Sequence, residues 1–340
     1  MKYKLAAMGV AVAMTALTPA SQAATEFSFS NWIPWTHNLA TRLYIPWMEE
    51  IEQKTNGRVK FKRLPKPVAH PRAHMDAVRT GQADAAFGVH GYSPRRLRAY
   101  LFTDFPQLGE SAVATSVAFQ RTYEKFFKNK GHYKGVHLIG MNTHGPGVIH
   151  HASKIIKSIA DMKGQKIRTG GPVPRLIVQT WGGVSIRQPA PKSYELLSTG
   201  VVDGVTFPYE ALVGFRIVNL VKFHTEIPGG LYSSGFYTFI SKKKYDALSA
   251  ADKNTIDATS GEAFALRAGK VWDQNDADGL AAAKKAGHTF AKASDEIMAS
   301  VRQIKAKLEA QYVADMKKDG IDGAEVLKYF HGELGKVQKK

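Results

Sequence analysis

The chain has 340 residues, 44% of them hydrophobic and 22% charged, which is enough apolar content for a sizeable core and a length that favours two domains. It contains no cysteine, and this excludes disulfides, thiolate metal sites, thiol catalysis and a lipid-modified N-terminal cysteine. With 47 basic and 29 acidic residues the formal charge is +18, a balance that ordinarily raises nucleic acid or an anionic membrane as a partner.

The N-terminus argues against nucleic acid. Met1-Lys2-Tyr3-Lys4 is a basic start, Leu5 to Leu17 is an apolar, helix-prone run, and Ser21-Gln22-Ala23 supplies small residues where signal peptidase inspects the chain. The pattern predicts a secretory signal peptide over 1–23, cleaved near Ala23, because the apolar run is shorter than the roughly 20 residues needed to cross a bilayer. An exported chain meets no cytoplasmic nucleic acid. The basic runs Lys242-Lys243-Lys244 and Lys339-Lys340 lack interleaved aromatics and read as solvated faces.

Along the chain, helix and strand patterns alternate, the signature of an α/β protein. Leu39, Leu43, Trp47, Met48 and Ile51 share one helical face, with Pro46 predicting a kink and Asn56-Gly57 a stop. Val59 and Phe61 then alternate with Lys60 and Lys62 as a half-buried strand. Ala85 to Val89, His137 to Met141, Lys166 to Thr169 and Val205 to Phe207 read as central strands beside Gly or Pro punctuation. Pro174 fits the first turn of a helix through Trp181, closed by Gly182-Gly183, before Val184 to Ile186 resumes an extended path. Another helix starts after Ser193. Ser249-Ala250-Ala251-Asp252 resembles a capping box opening a long run through Ile256, Ala263, Phe264, Ala268 and Val271, and a last amphipathic helix carries Ile297, Val301, Ile304 and Leu308. Such units make two mixed-sheet lobes, with ligands expected where strand ends meet a crevice.

No nucleophile elbow, Walker A loop or dinucleotide fingerprint is present. His70 and His74 with Asp76 have helical metal-ligand spacing, but Pro71 interrupts the turn, and surface or capping histidines are the expectation. His144, His150 and His151 surround Gly145-Pro146-Gly147 without a serine or carboxylate at triad spacing. No cofactor and no dedicated set of metal-ligating residues is expected.

The segment Asp161-Met162-Lys163-Gly164-Gln165-Lys166-Ile167-Arg168, followed by Tyr194-Glu195-Leu196-Leu197-Ser198-Thr199-Gly200-Val201-Val202-Asp203-Gly204, resembles the solute-binding proteins of TRAP (tripartite ATP-independent periplasmic) transporters. Asn56-Gly57-Arg58-Val59, the stretch from Met75 to Asp84, and Phe105-Pro106 match earlier landmarks of that family in order. The resemblance implies a periplasmic binding protein, not an enzyme. Its fold would be α/β, two lobes with mixed sheets, crossing hinge strands and a long interdomain helix. It places lobe I at 24–145 plus 234–273 and lobe II at 146–233 plus 274–335. It further implies capture of an organic carboxylate and delivery to integral-membrane TRAP subunits. A chemosensory binding protein for a similar ligand, or an exported enzyme, are the alternatives.

Arg168 matches the family's ligand arginine, and a guanidinium fork suits a carboxylate because it makes two parallel charge-assisted bonds. Where relatives carry a second basic residue this chain has Gly145-Pro146-Gly147, which implies a single carboxylate clamp. Phe207 stands before Pro208 in place of the common asparagine, and Ala190 replaces a bulky aromatic. Trp32, Trp35, Tyr209 and Phe236 are further candidates for the pocket wall, and His144, His150 and Tyr92 for hydrogen bonds to a hydroxyl or oxo group. The expected ligand is therefore a monocarboxylate with an apolar or aromatic body, 2-oxo and 2-hydroxy acids included.

Overall fold

In the computed structural model, which describes residues 24–338, the short apolar runs become strands that assemble into two sheets. The signal peptide predicted over 1–23 and the pair Lys339-Lys340 lie outside the described residues. In chain order the strands are β1 (Thr25–Phe29), β2 (Val59–Arg63), β3 (Ala85–Val89), β4 (Val136–Thr143), β5 (Val148–His151), β6 (Lys166–Thr169), β7 (Val184–Arg187), β8 (Gly204–Phe207), β9 (Phe223–Glu226), β10 (Gly235–Ser241) and β11 (Thr289–Lys292). The first sheet runs β2-β1-β3-β10-β4 and the second β11-β9-β5-β8-β6-β7.

Both sheets are mixed. β1 lies parallel to β2 and β3, and β10 enters antiparallel between β3 and β4. In the second sheet β6 is parallel to β7 and β8, while β5 runs antiparallel to β8 and β9. The chain changes sheet three times, from β4 to β5, back from β9 to β10, and again from β10 to β11. A third link is the 24-residue helix Glu262–Lys285, which packs on helix Ala112–Phe126 and β4 and also on helix Glu210–Gly214. The last helix, Gly323–Gln338, lies against helix Ala112–Phe126.

Local signals explain most element ends. Ser249 caps helix Ala250–Ala258 by accepting from the Asp252 amide, and Ser158 with Asp161 forms a full capping box. Alternation holds β2 with Val59 buried and its lysines exposed. Three expectations change. The amphipathic helix read as the last, which carries Ile297 to Leu308, is followed by the helix Gly323–Gln338. The helix carrying Pro46 opens as a π-turn at Ala40–Tyr44, so Pro46 sits in the first turn of the α-helix Ile45–Lys54, where its missing N–H costs nothing. The long run from Ser249 breaks at Gly261 (φ 61°), whose amide donates to Ile139 O at 2.7 Å. That bond to β4 turns one predicted helix into two. His74 is occupied locally, its Nδ1 donating to His70 O at 3.1 Å and its Nε2 meeting Ser30 Oγ at 3.0 Å.

Candidate functional site

Strand ends from both sheets converge on one cavity. From the first sheet's side Trp32, Val89, Tyr92 and Phe236 face it, and from the second Arg168, Ala190 and Phe207. This is the crevice position that open α/β sheets leave at their strand ends.

Arg168 is the cavity's cation. It sits on β6 between β7 and β8 and is 1% exposed. Its Nε donates to Gln188 O at 2.9 Å and its Nη1 reaches Thr206 O at 3.5 Å, while the guanidinium carbon stands 4.2 Å from the Phe207 ring centre. No ion pair among the described residues includes it. Burial pulls its pKa below the usual arginine value, an effect partly offset by the Tyr92 and Tyr232 hydroxyls. A guanidinium nevertheless stays charged in proteins. The site thus holds a desolvated positive charge whose natural partner is an anion from outside the chain.

The walls are aromatic. The Trp32 ring lies 4.6 Å from Phe87, and its Nε1 donates to Phe87 O at 3.0 Å. Phe236 packs 5.2 Å from Trp272, and Phe207 stacks 5.6 Å from Phe215. Such faces bind a flat apolar body by area and by offset stacking.

His144 supplies an oriented polar atom. Its Nδ1 lies 2.6 Å from Gly145 O, and because a carbonyl only accepts, Nδ1 carries the proton. Burial, with Arg168 nearby, pushes its pKa down to about 4, so the ring is neutral at pH 7 and Nε2 is a bare acceptor. Two bonds tie the sheets together beside the cavity. The Ala190 amide donates to Tyr92 Oη at 2.9 Å, and Arg187 Nη2 donates to Gly91 O at 3.2 Å. Removing the first in Tyr92→Phe is expected to weaken affinity about 3- to 10-fold, mainly through faster dissociation, the value of one buried neutral hydrogen bond. Stopped-flow release of a bound carboxylate checks this, and an unchanged off-rate would count against a role for this bond in holding the ligand.

Of the residues expected at the pocket, the cavity brings together Arg168, Phe207, Trp32, His144, Tyr92 and Phe236. Three lie elsewhere. Trp35 turns outward, its Nε1 donating to Leu64 O at 2.7 Å and its ring facing Phe29 and Arg63. Tyr209 follows Pro208, where the strand has ended, and points away to donate to Glu226 Oε1 at 2.7 Å. His150 is consumed by a file of histidines. Its Nε2 donates to Phe207 O (3.1 Å), leaving Nδ1 to accept from His224 Nδ1 (2.7 Å), whose Nε2 accepts in turn from His288 Nδ1 (2.9 Å). Burial holds His150 neutral, with its pKa lowered to about 4.

Sequence reasoning missed Tyr232, Trp272, His37, Glu210 and Phe215, all of which line the cavity. His37 stands in the irregular loop after β1 that also carries Trp32, and only that proximity marked it. The others come from a crossing segment, a long helix and a short helix, whose patterns read as ordinary packing.

Residues 30–316 match the model of the bacterial extracellular solute-binding protein family 7, DctP. The fold is similar to a TRAP periplasmic solute-binding protein from Bordetella bronchiseptica with bound (R)-mandelate and (S)-mandelate. The two chains are 39% identical with a TM-score of 0.88, over 92% of this chain and 99% of that one. A TRAP solute-binding protein from Rhodoferax ferrireducens T118, in complex with copurified benzoate, is 25% identical with a TM-score of 0.86, covering 93% and 99% of the two chains. A marine metagenome TRAP protein specific for aromatic acid ligands, in complex with 3-hydroxybenzoate, is 30% identical with a TM-score of 0.85 over 92% and 99%.

Proposed function

Because the chain belongs to the bacterial extracellular solute-binding protein family 7, the periplasmic component of TRAP transporters, we propose that it captures an aromatic monocarboxylate and hands it unaltered to the transporter's integral-membrane subunits. The observation that carries this reading is Arg168, a buried guanidinium without an acid partner among the described residues, opening on an aromatic cavity. The relatives with bound mandelate, benzoate and 3-hydroxybenzoate support it. Residues 1–23 serve as the export signal, cleaved near Ala23. Among the described residues no helix is long and apolar enough to cross a membrane.

Lobe I comprises 24–145 with 234–273, and lobe II 146–233 with 274–322. The final helix goes with lobe I, since it packs on helix Ala112–Phe126. An anion seated on Arg168 and touching Trp32 and Tyr92 satisfies both lobes only when they are closed, so binding shifts the population toward the closed form. Next to the clamp, the bare Nε2 of His144 accepts from a 2-hydroxyl and repels the lone pairs of a 2-oxo group.

Isothermal titration with benzoate, mandelate and phenylglyoxylate, against succinate and glucuronate, tests the reading. Aromatic monocarboxylates are expected to bind at least about 10-fold tighter than either control, and mandelate about 10-fold tighter than phenylglyoxylate, the equivalent of one well-placed hydrogen bond. Equal or tighter binding of succinate or glucuronate would remove the aromatic monocarboxylate from consideration.

A further inference from the structure

The cavity has a second polar end. His37 and Glu210, 4% and 1% exposed, both line it, and their Nε2 and Oε1 atoms are 3.3 Å apart. Each of these two atoms is buried, yet neither has a hydrogen-bond partner of acceptable geometry. Buried polar atoms left open in this way call for an occupant.

The pair's chemistry is set by its surroundings. The Leu39 amide donates to His37 Nδ1 at 3.2 Å, so the single proton of the neutral ring sits on Nε2. Burial drives the His37 pKa down to about 4 and drives that of Glu210 well above the ordinary carboxylate range, with the nearby Asp276 adding to the latter. The two side chains together present an N–H donor and a neutral carboxyl that can accept or donate. Glycine at 214 makes room for them, since a Cβ there would lie 2.5 Å from both Glu210 Oε1 and His37 Nε2.

An aromatic ridge separates this end from the clamp. Arg168 stands over Phe207, Phe207 stacks on Phe215, and Phe215 meets the His37 ring edge-on at 4.8 Å. A ligand whose carboxylate lies on Arg168 and whose ring lies along Phe207 and Phe215 therefore extends toward His37. We propose that His37 and Glu210 form a subsite for a neutral hydroxyl on the ligand's ring, which makes the preferred ligands hydroxyaryl carboxylates. The hydroxyl accepts from His37 Nε2–H and donates to Glu210 Oε1. A second carboxylate is excluded at this end, because His37 and Glu210 are both held neutral there and no lysine or arginine lines it. This assignment rests on the aromatic monocarboxylate reading above.

Titration of the full mature chain with benzoate, 3- and 4-hydroxybenzoate, and the equally bulky 3- and 4-methylbenzoates separates the two claims. At least one hydroxybenzoate is expected to bind about 5-fold or more tighter than its methyl counterpart. That advantage is expected to vanish in Glu210→Met and in His37→Phe and to survive largely in Glu210→Gln, which keeps a neutral donor and acceptor. If benzoates bind but hydroxyl and methyl forms bind alike, the subsite is wrong while the carboxylate clamp stands. If the hydroxyl advantage persists in both Glu210→Met and His37→Phe, the hydroxyl is read elsewhere and the assignment falls. If none of the five acids binds and mandelate does not bind either, the underlying reading fails and takes this one with it, whereas binding of mandelate alone overturns the hydroxyaryl subsite and leaves the clamp standing.

Discussion

Arg168→Met is expected to weaken binding of benzoate or mandelate by two orders of magnitude or more while leaving the ligand-free protein as stable as before, or more so. Leaving a buried carboxylate without its cation costs about 3–5 kcal/mol, which at about 1.4 kcal/mol per decade is roughly 100- to 4,000-fold in affinity. The stability half of the expectation follows from the same charge. Arg168 is 1% exposed with neutral hydrogen-bond partners and no acid beside it among the described residues, so the fold bears a desolvation cost that the ligand offsets. Methionine fills much of the volume without the charge, although it leaves Gln188 O and Thr206 O to find other donors. Arg168→Lys keeps the charge but loses the planar fork and the bond to Gln188 O, and an affinity loss of roughly 10-fold or more is expected. Calorimetric titration and differential scanning of the same three proteins read both effects. Binding within threefold of wild type in Arg168→Met would dismiss the clamp, and a melting temperature lowered by more than about 5 °C would mean that Arg168 serves chiefly to hold the fold together.

Gly279→Ala is expected to destabilise the protein by about 2–4 kcal/mol, against the general rule that alanine improves a helix interior by up to about 1 kcal/mol. Gly279 is buried in helix Glu262–Lys285, and a Cβ there would lie 2.1 Å from Tyr209 O and 3.0 Å from Glu210 N. These are backbone atoms that no rotamer change moves aside. The helix must retreat from the segment at 207–210, which carries Phe207 over Arg168 and Glu210 into the cavity, so ligand affinity falls with stability. Gly332→Ala in helix Gly323–Gln338 is the internal comparison, because nothing lies within 4 Å of the added methyl. It is expected to raise the melting temperature slightly. Urea midpoints of the two variants would contradict the packing argument if both moved in the same direction.

Much of the architecture was legible residue by residue. The alternation of Val59-Lys60-Phe61-Lys62 placed a half-buried strand. Ser249 with Asp252 placed a helix start, and Arg168 stood out because the motif around it matched a family whose members bind carboxylates. These signals are local, since capping bonds, strand period and motif spacing all act within a few residues and survive in one dimension.

The direction of individual side chains was decided only by the assembled structure. Trp32 and Trp35 share one loop, yet Trp32 is held to the cavity by Phe87 O and Trp35 is drawn outward by Leu64 O. Phe207 ends β8 facing Arg168, while Tyr209, two residues on, has left the strand and turns to Glu226. His144 keeps a free acceptor because its partner is its own neighbour's carbonyl, whereas His150 is bound to residues 57 and 74 positions away. The same holds for the helix break at Gly261, which a bond to Ile139 O imposes, and for the meeting of His37 with Glu210. Local sequence determined the elements and the charge that the site needed. Long-range hydrogen bonds and close backbone packing determined which aromatic and polar groups share the cavity, because those contacts join segments that no short-range period relates.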